Sequence, residues 1–192
     1  MLKTNNSLHF PNIYFIGAQK CGTSTLYNWL KQDKRLSFPE NKETHYFSSN
    51  YSYGSQWYIK QFYNKDYTFR CEIDPSYIYY PESIKKIHEI NNDCKMIIIL
   101  RHPLERAYSH FLMSKHRCVE KLSFITALES ERNRIINDKS DFSLLNYSYL
   151  SRSTYSDQIK ILFKYFDDEN CLFIKYDDIF LNNENNKLIS DI

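Results

Sequence analysis

Residues 13–25 read IYFIGAQKCGTST. A short apolar run leads into two glycines that bracket a lysine, and three hydroxyl residues follow. Residues 13–16 have the length and character of a buried strand. In TSTLYNWLKQ, 23–32, Leu26, Trp29 and Leu30 fall on one side of a helix, with Thr23 or its neighbour as cap. A glycine-bearing turn from strand to helix is suited to holding an anion, because the first N–H groups of the helix point outward and Gly17 and Gly22 let the backbone approach closely. Gln19, Lys20, Cys21, Gly22, Thr23, Ser24 and Thr25 therefore form a candidate phosphate loop. The familiar nucleoside-triphosphate loop has its lysine directly after the second glycine. Here Cys21 and Gly22 separate Lys20 from Thr23, so the lysine rises from the loop itself.

Working outward, strand-like and helix-like segments alternate. TFRCEI, 68–73, reads as a strand ended by Asp74-Pro75, and PESIKKIHEIN as a helix opened by Pro81 with Ile84, Ile87 and His88 on one face. The unbroken β-branched run KMIIIL, 95–100, marks a central strand covered on both sides. GSQWYIKQFY (54–63), LERAYSHFLMSKH (104–116) and the stretches 121–137 and 145–166 have helical patterns. NCLFIKY, 170–176, reads as a last strand, and the polar 182–187 as a loop. Strands separated by helices predict an α/β fold, with a central, mainly parallel sheet flanked by helices in three layers.

Composition sets limits on partners. A chain of 192 residues suits one domain, and a net charge of +2 supplies no bulk attraction to nucleic acid or membrane. Five widely spread cysteines without a C-x-x-C pair argue for free thiols in a reducing compartment and against structural zinc. No apolar run approaches the roughly 20 residues of a membrane span, and the N-terminus lacks the apolar centre of a secretory signal. The expectation is a cytoplasmic protein with no membrane span.

A second anion element follows the central strand: Arg101-His102-Pro103-Leu104-Glu105-Arg106-Ala107-Tyr108-Ser109. Arg101 stands at the strand's carboxyl end, and Arg106 and Ser109 are three apart on one helix face. An arginine fork beside a hydroxyl suits a phosphate monoester; the lesser alternative is a structural arginine that bridges strand and helix.

Together the two segments resemble the nucleotide-binding elements of sulfotransferases that use 3′-phosphoadenosine-5′-phosphosulfate. Lys20-Cys21-Gly22-Thr23-Ser24 matches the loop that holds the 5′-phosphosulfate in that family. Arg101, Pro103, Arg106 and Ser109 match the element that holds the 3′-phosphate. A third segment, Lys42-Glu43-Thr44-His45-Tyr46-Phe47, resembles the stretch that carries the catalytic glutamate in heparan sulfate sulfotransferases and their bacterial relatives. Standing alone, such a string is more often a solvated face.

The resemblance implies a P-loop-like fold and one domain over residues 1–192, truncated at its C-terminus relative to the family. It also implies sulfuryl transfer from the nucleotide to a hydroxyl or amine of a carbohydrate-like acceptor. Lys20 would stabilise the departing phosphate, and Glu43 would take the acceptor's proton, with His45 as alternative base or positioning group. Gln19 through Thr25, with Arg101 and Ser109, would hold the donor. Lys42, His45, Tyr46, Phe47 and Tyr77 would face the acceptor, and Trp57, Tyr79 and Tyr80 could add stacking surfaces. This chemistry requires no metal. Competing possibilities are a nucleotide-dependent kinase and a non-catalytic nucleotide-binding remnant. The family often has a lysine where Ile73 stands, and that lysine helps bind acidic polysaccharide.

Overall fold

The computed structural model describes residues 10–62 and 68–180. Five strands form one all-parallel sheet in the order β2-β3-β1-β4-β5. They are β1 (Ile13–Gly17), β2 (Leu36–Ser37), β3 (Phe69–Ile73), β4 (Lys95–Leu100) and β5 (Cys171–Lys175), and helices flank them. The four longer strands stand where the sequence predicts them. The two-residue edge strand β2 has no pattern long enough to be seen in sequence.

The described residues divide into two compact units, one drawn from residues up to Leu100 and from Gln158 onward, the other from Arg101–Asp157. The whole sheet lies in the first. Central β1 pairs with β3 through Ile13↔Cys71 and with β4 through Ile13↔Lys95, and β4 pairs with β5 through Met96↔Cys171. Parallel strands with both faces covered need apolar residues on both faces, which is why all of Ile13–Gly17 and Met96–Ile99 are buried. Alternate positions Tyr14, Ile16, Met96 and Ile98 share one core with Ile84, Ile87, Leu162 and Phe166. Helix α1 (Thr23–Leu30) follows β1, α2 (Gly54–Ile59) precedes β3, α3 (Pro81–Ile90) joins β3 to β4, and the short α8 (Tyr176–Phe180) follows β5.

In the second unit, α4 (Pro103–His116), α5 (Phe124–Asn137) and α6 (Asp141–Asn146) gather around Ala107, Phe111, Ala127 and Tyr149. The single helix expected over 145–166 is broken. It becomes the end of α6, a 3-10 turn at Ser151–Ser153 and α7 (Tyr155–Leu162), which crosses the boundary between the units. Side chains from elsewhere in the unit take over its backbone groups. The Glu131 carboxylate accepts from the Leu150 and Ser151 amides at 2.6 and 2.8 Å, and the Arg106 guanidinium donates to the Tyr149 carbonyl. With those groups satisfied, the helical ladder has nothing to gain there. The polar stretch 182–187 lies outside the described residues.

Candidate active site

The candidate phosphate loop leaves the carboxyl end of β1 at the centre of the sheet, where ligands of parallel α/β folds bind. Two positive-φ residues shape it. Lys20 has a positive φ of 71°, a conformation that a side-chain-bearing residue adopts at a cost, and such strain collects at ligand-binding turns. Gly22, with φ 80°, is the residue before α1, and a Cβ there would stand 2.3 Å from the Phe180 ring. Glycine is required at that position by both backbone and neighbour. Of Thr23 and its neighbour, the cap is the neighbour, Gly22, which offers no side chain. The first helical bond runs from the Leu26 amide to the Gly22 carbonyl, so the amides of Thr23, Ser24 and Thr25 precede the ladder. Ser24 and Thr25 are exposed, while Thr23 and Cys21 are buried.

Glu43 and His45 stand in the same unit, in the chain between β2 and α2. The Lys42 ammonium joins them to the loop: its Nζ donates to Ser24 Oγ at 3.0 Å and to Glu43 Oε1 at 2.7 Å. His45 also has a positive φ, 51°. Asp74, fully buried just beyond β3, fixes it there. One Asp74 oxygen accepts from the His45 backbone amide at 3.1 Å and lies 2.8 Å from its Nδ1. The other accepts from the Ser76 amide at 3.1 Å. Nε2 of His45 lies 3.8 Å from Glu43 Oε2. The hydrogen bond to Asp74 is the main reason the imidazole holds its proton above its ordinary range, against the opposing effect of burial. A continuous polar chain thus runs from Asp74 through His45, Glu43 and Lys42 to Ser24.

Behind it lies a second carboxyl group that sequence reasoning left without a role. Glu72 is fully buried and receives hydrogen bonds from the hydroxyls of Thr44, Tyr58 and Tyr77, the last at 3.0 Å. Burial, helped by the negative charge of Asp74, pushes its carboxyl up to about 7 despite those three donors. Thr44 sits between Glu43 and His45, so this node anchors the candidate catalytic segment to β3. The sequence assigned neither Asp74 nor Glu72 a role. Their period-two spacing, which places both on one side of β3, was the only available hint.

Three acceptor-facing expectations need correcting. Tyr46, Phe47 and Tyr77 have 2%, 0% and 0% of their surface exposed, so their rings have none to present. Tyr46 stacks on Tyr58 at 4.3 Å, Phe47 packs edge-on to Tyr77 at 5.5 Å, and the Tyr77 hydroxyl is directed to Glu72. The exposed rings of this region are Tyr51 and Tyr53, with half-buried Trp57 beside Tyr53 at 5.0 Å.

Within the second unit, half-buried Arg101 donates to Glu105 at 3.0 Å, and its carbonyl accepts from the Tyr155 hydroxyl at 3.0 Å. Ser109 is half-buried on α4. Arg106 differs from the arginine fork that the sequence suggested. It is fully buried, and its guanidinium donates to Ser153 Oγ at 2.6 Å and to the Tyr149 carbonyl, so it braces this unit.

Among the described residues, Glu43, His45 and Asp74 also offer three potential metal-ligand atoms within 4.8 Å of one another. Two of these groups are joined by the 2.8 Å His45–Asp74 contact, and the third is engaged by Lys42. Each group of the donor set therefore already has a charged or hydrogen-bonding neighbour.

A glycine-bearing turn at a helix N-terminus, with a lysine-bridged carboxylate beside it, stands at the carboxyl end of the central strand of a parallel α/β sheet. Residues 11–186 match the model of the sulfotransferase domain, and the chain belongs to that family. Its fold is similar to that of a sulfotransferase from Alicyclobacillus acidocaldarius, with a TM-score of 0.84 at 25% identity over 95% of this chain and 78% of that one. Over 113 residues it is 33% identical to the membrane-associated sulfotransferase kil1 of Dictyostelium discoideum, covering 56% of this chain and 24% of the relative. Human heparan sulfate glucosamine 3-O-sulfotransferase 6 is 31% identical over 105 residues, 53% of this chain and 30% of the relative. The chain thus spans less than a third of these curated relatives. No helix among the described residues is long and apolar enough to cross a membrane.

Proposed function

We propose that the chain is an enzyme that transfers the sulfuryl group of 3′-phosphoadenosine-5′-phosphosulfate to a hydroxyl or amine of a carbohydrate-like acceptor. The observation that carries this proposal is the Ser24–Lys42–Glu43 contact, which sets a carboxylate one side chain away from a phosphate loop. The acceptor atom attacks sulfur, its proton passes to Glu43, and the bond from sulfur to the bridging oxygen breaks with its electron pair remaining on the 5′-phosphate. Lys20 and the α1 amides stabilise that developing charge. His45, held by Asp74, orients the acceptor or shares the proton. Gln19 to Thr25 hold the 5′-phosphosulfate, and Arg101 with Ser109 serves the 3′-phosphate. For the acceptor, exposed Tyr51 and Tyr53 with half-buried Trp57 replace the buried rings as stacking surfaces, which suits a sugar face. The family supplies the donor class, and the heparan-type relatives supply the carbohydrate class. The one domain this implies extends over residues 1–192, and the spread of its cysteines accords with the cytoplasm.

Thermal shift with adenosine 3′,5′-bisphosphate and with ATP, followed by turnover on a panel of hydroxylated and amino sugars, tests the proposal. Stabilisation by the bisphosphate together with sulfuryl transfer is expected. Preference for ATP would overturn the donor, and binding without transfer to any acceptor would mark a nucleotide-binding remnant. Lys20→Ala and Glu43→Gln should each lower turnover by about 10²-fold or more with binding-competent folds retained.

A further inference from the structure

Lys42 is where the site holds more than its proposed chemistry has used. A lysine that served the acceptor alone would extend away from the donor loop. This one points back to it, with its ammonium shared between Ser24 Oγ at 3.0 Å and Glu43 Oε1 at 2.7 Å. Its side chain is 18% exposed, and that of Glu43 is 32% exposed. The ammonium is therefore sheltered enough for its charge to matter and open enough to move. An ammonium on a flexible four-carbon stem carries three rotatable donors and can exchange one anionic partner for another.

Building on the proposed function, we infer that Lys42 recognises the sulfuryl group itself, and so distinguishes a loaded donor from the spent nucleotide. With the donor absent, the ammonium is clamped between Ser24 and Glu43. A 5′-phosphosulfate seated on the loop brings anionic sulfuryl oxygens to the Ser24 edge, and the ammonium turns from the carboxylate towards them. Glu43 is then released to take a proton, and Lys42 offsets charge on the oxygens of the group in transit. Once the sulfuryl group has left on the acceptor, adenosine 3′,5′-bisphosphate offers Lys42 no such partner. The ammonium returns to Glu43, and product binding is weaker by that contact. Lys20 has a different task, since it rises from the loop itself towards the bridging oxygen.

Calorimetric titration without acceptor tests this, using wild type, Lys42→Met and Lys42→Arg with the phosphosulfate and with the bisphosphate. Wild type should prefer the phosphosulfate. Lys42→Met should weaken the phosphosulfate about tenfold or more, as expected for loss of a charge-assisted hydrogen bond, and change the bisphosphate by less than about threefold. Lys42→Arg should recover part of the preference. Because both ligands are compared on one preparation, partial misfolding cancels from the ratio. Glu43→Gln should widen the preference, since the ammonium no longer has a carboxylate to leave. A Lys42→Met variant that weakens both nucleotides alike, or neither, would overturn the inference, as would a wild type without preference. If wild type bound neither nucleotide, the proposed donor would fall, and this inference with it.

Discussion

At the level of single residues, the site is organised by Asp74. It has no solvent exposure, and its hydrogen bonds fix both the backbone and the ring of His45. Asp74→Asn keeps the size but removes the charge that holds the imidazole proton. The His45 titration, followed by its ring-proton NMR signals, should then move down towards the ordinary value of about 6.5. An unchanged titration would mean that the ion pair does not govern the ring. Glu43 and His45 could be singled out in the sequence because they lie in one unbroken string, residues 42–47, that resembles a family pattern. Asp74 could not be, since its partnership with His45 closes across β3 and exists only in the folded chain. The aromatic residues misled for a related reason. A tyrosine reads the same in sequence whether its ring faces a ligand or its hydroxyl completes a buried carboxylate's shell, as that of Tyr77 does for Glu72.

Among the elements, the start of α1 is the most constrained. Gly22→Ala forces a side chain into a left-handed backbone at about 1–2 kcal/mol and drives its Cβ into the Phe180 ring. Thermal denaturation should show Gly22→Ala as clearly destabilising, with Phe180→Ala recovering the steric part and leaving the backbone part. Complete recovery would show that the backbone conformation is costless there. The interruption at 147–154 depends on two side chains, Glu131 and Arg106. Glu131→Ala leaves the Leu150 and Ser151 amides without their carboxylate, and denaturant titration should register a loss of about 2 kcal/mol or more. Strand β4 could be read from sequence because its run of isoleucines is a local signal. The broken helix could not, because Glu131 and Arg106 that replace its ladder lie elsewhere in the chain.

For the molecule as a whole, buried Glu72 and partly exposed His45 predict how stability varies with pH. Glu72 is held at about 7 when folded, against roughly 4.3 when unfolded, and His45 is also raised. A raised group favours the folded state while protonated, so this contribution is full below the unfolded value and is lost as pH rises through the folded one. The melting temperature should therefore fall between pH 5 and pH 8, by about 2–4 °C for each kcal/mol lost. Glu72→Gln should flatten the profile, and a wild-type profile that rises over this range would contradict the assignment. The parallel sheet itself was foreseen from alternating strands and helices. Its order, with β1 at the centre, depends on pairing between segments distant in sequence.

That order has a consequence for how the chain is made. Strand β5 completes the sheet against β4, yet residues 101–170 are synthesised between them. During that interval β4 has one edge of unpaired peptide groups on an isoleucine-rich strand, the kind of template on which nascent chains stick to one another. The entropy of closing so long a loop grows only slowly with its length, so the delay is mainly one of time. On a ribosome, the newborn protein is most exposed to misassembly from the emergence of Leu100 until Cys171 arrives to cover that edge.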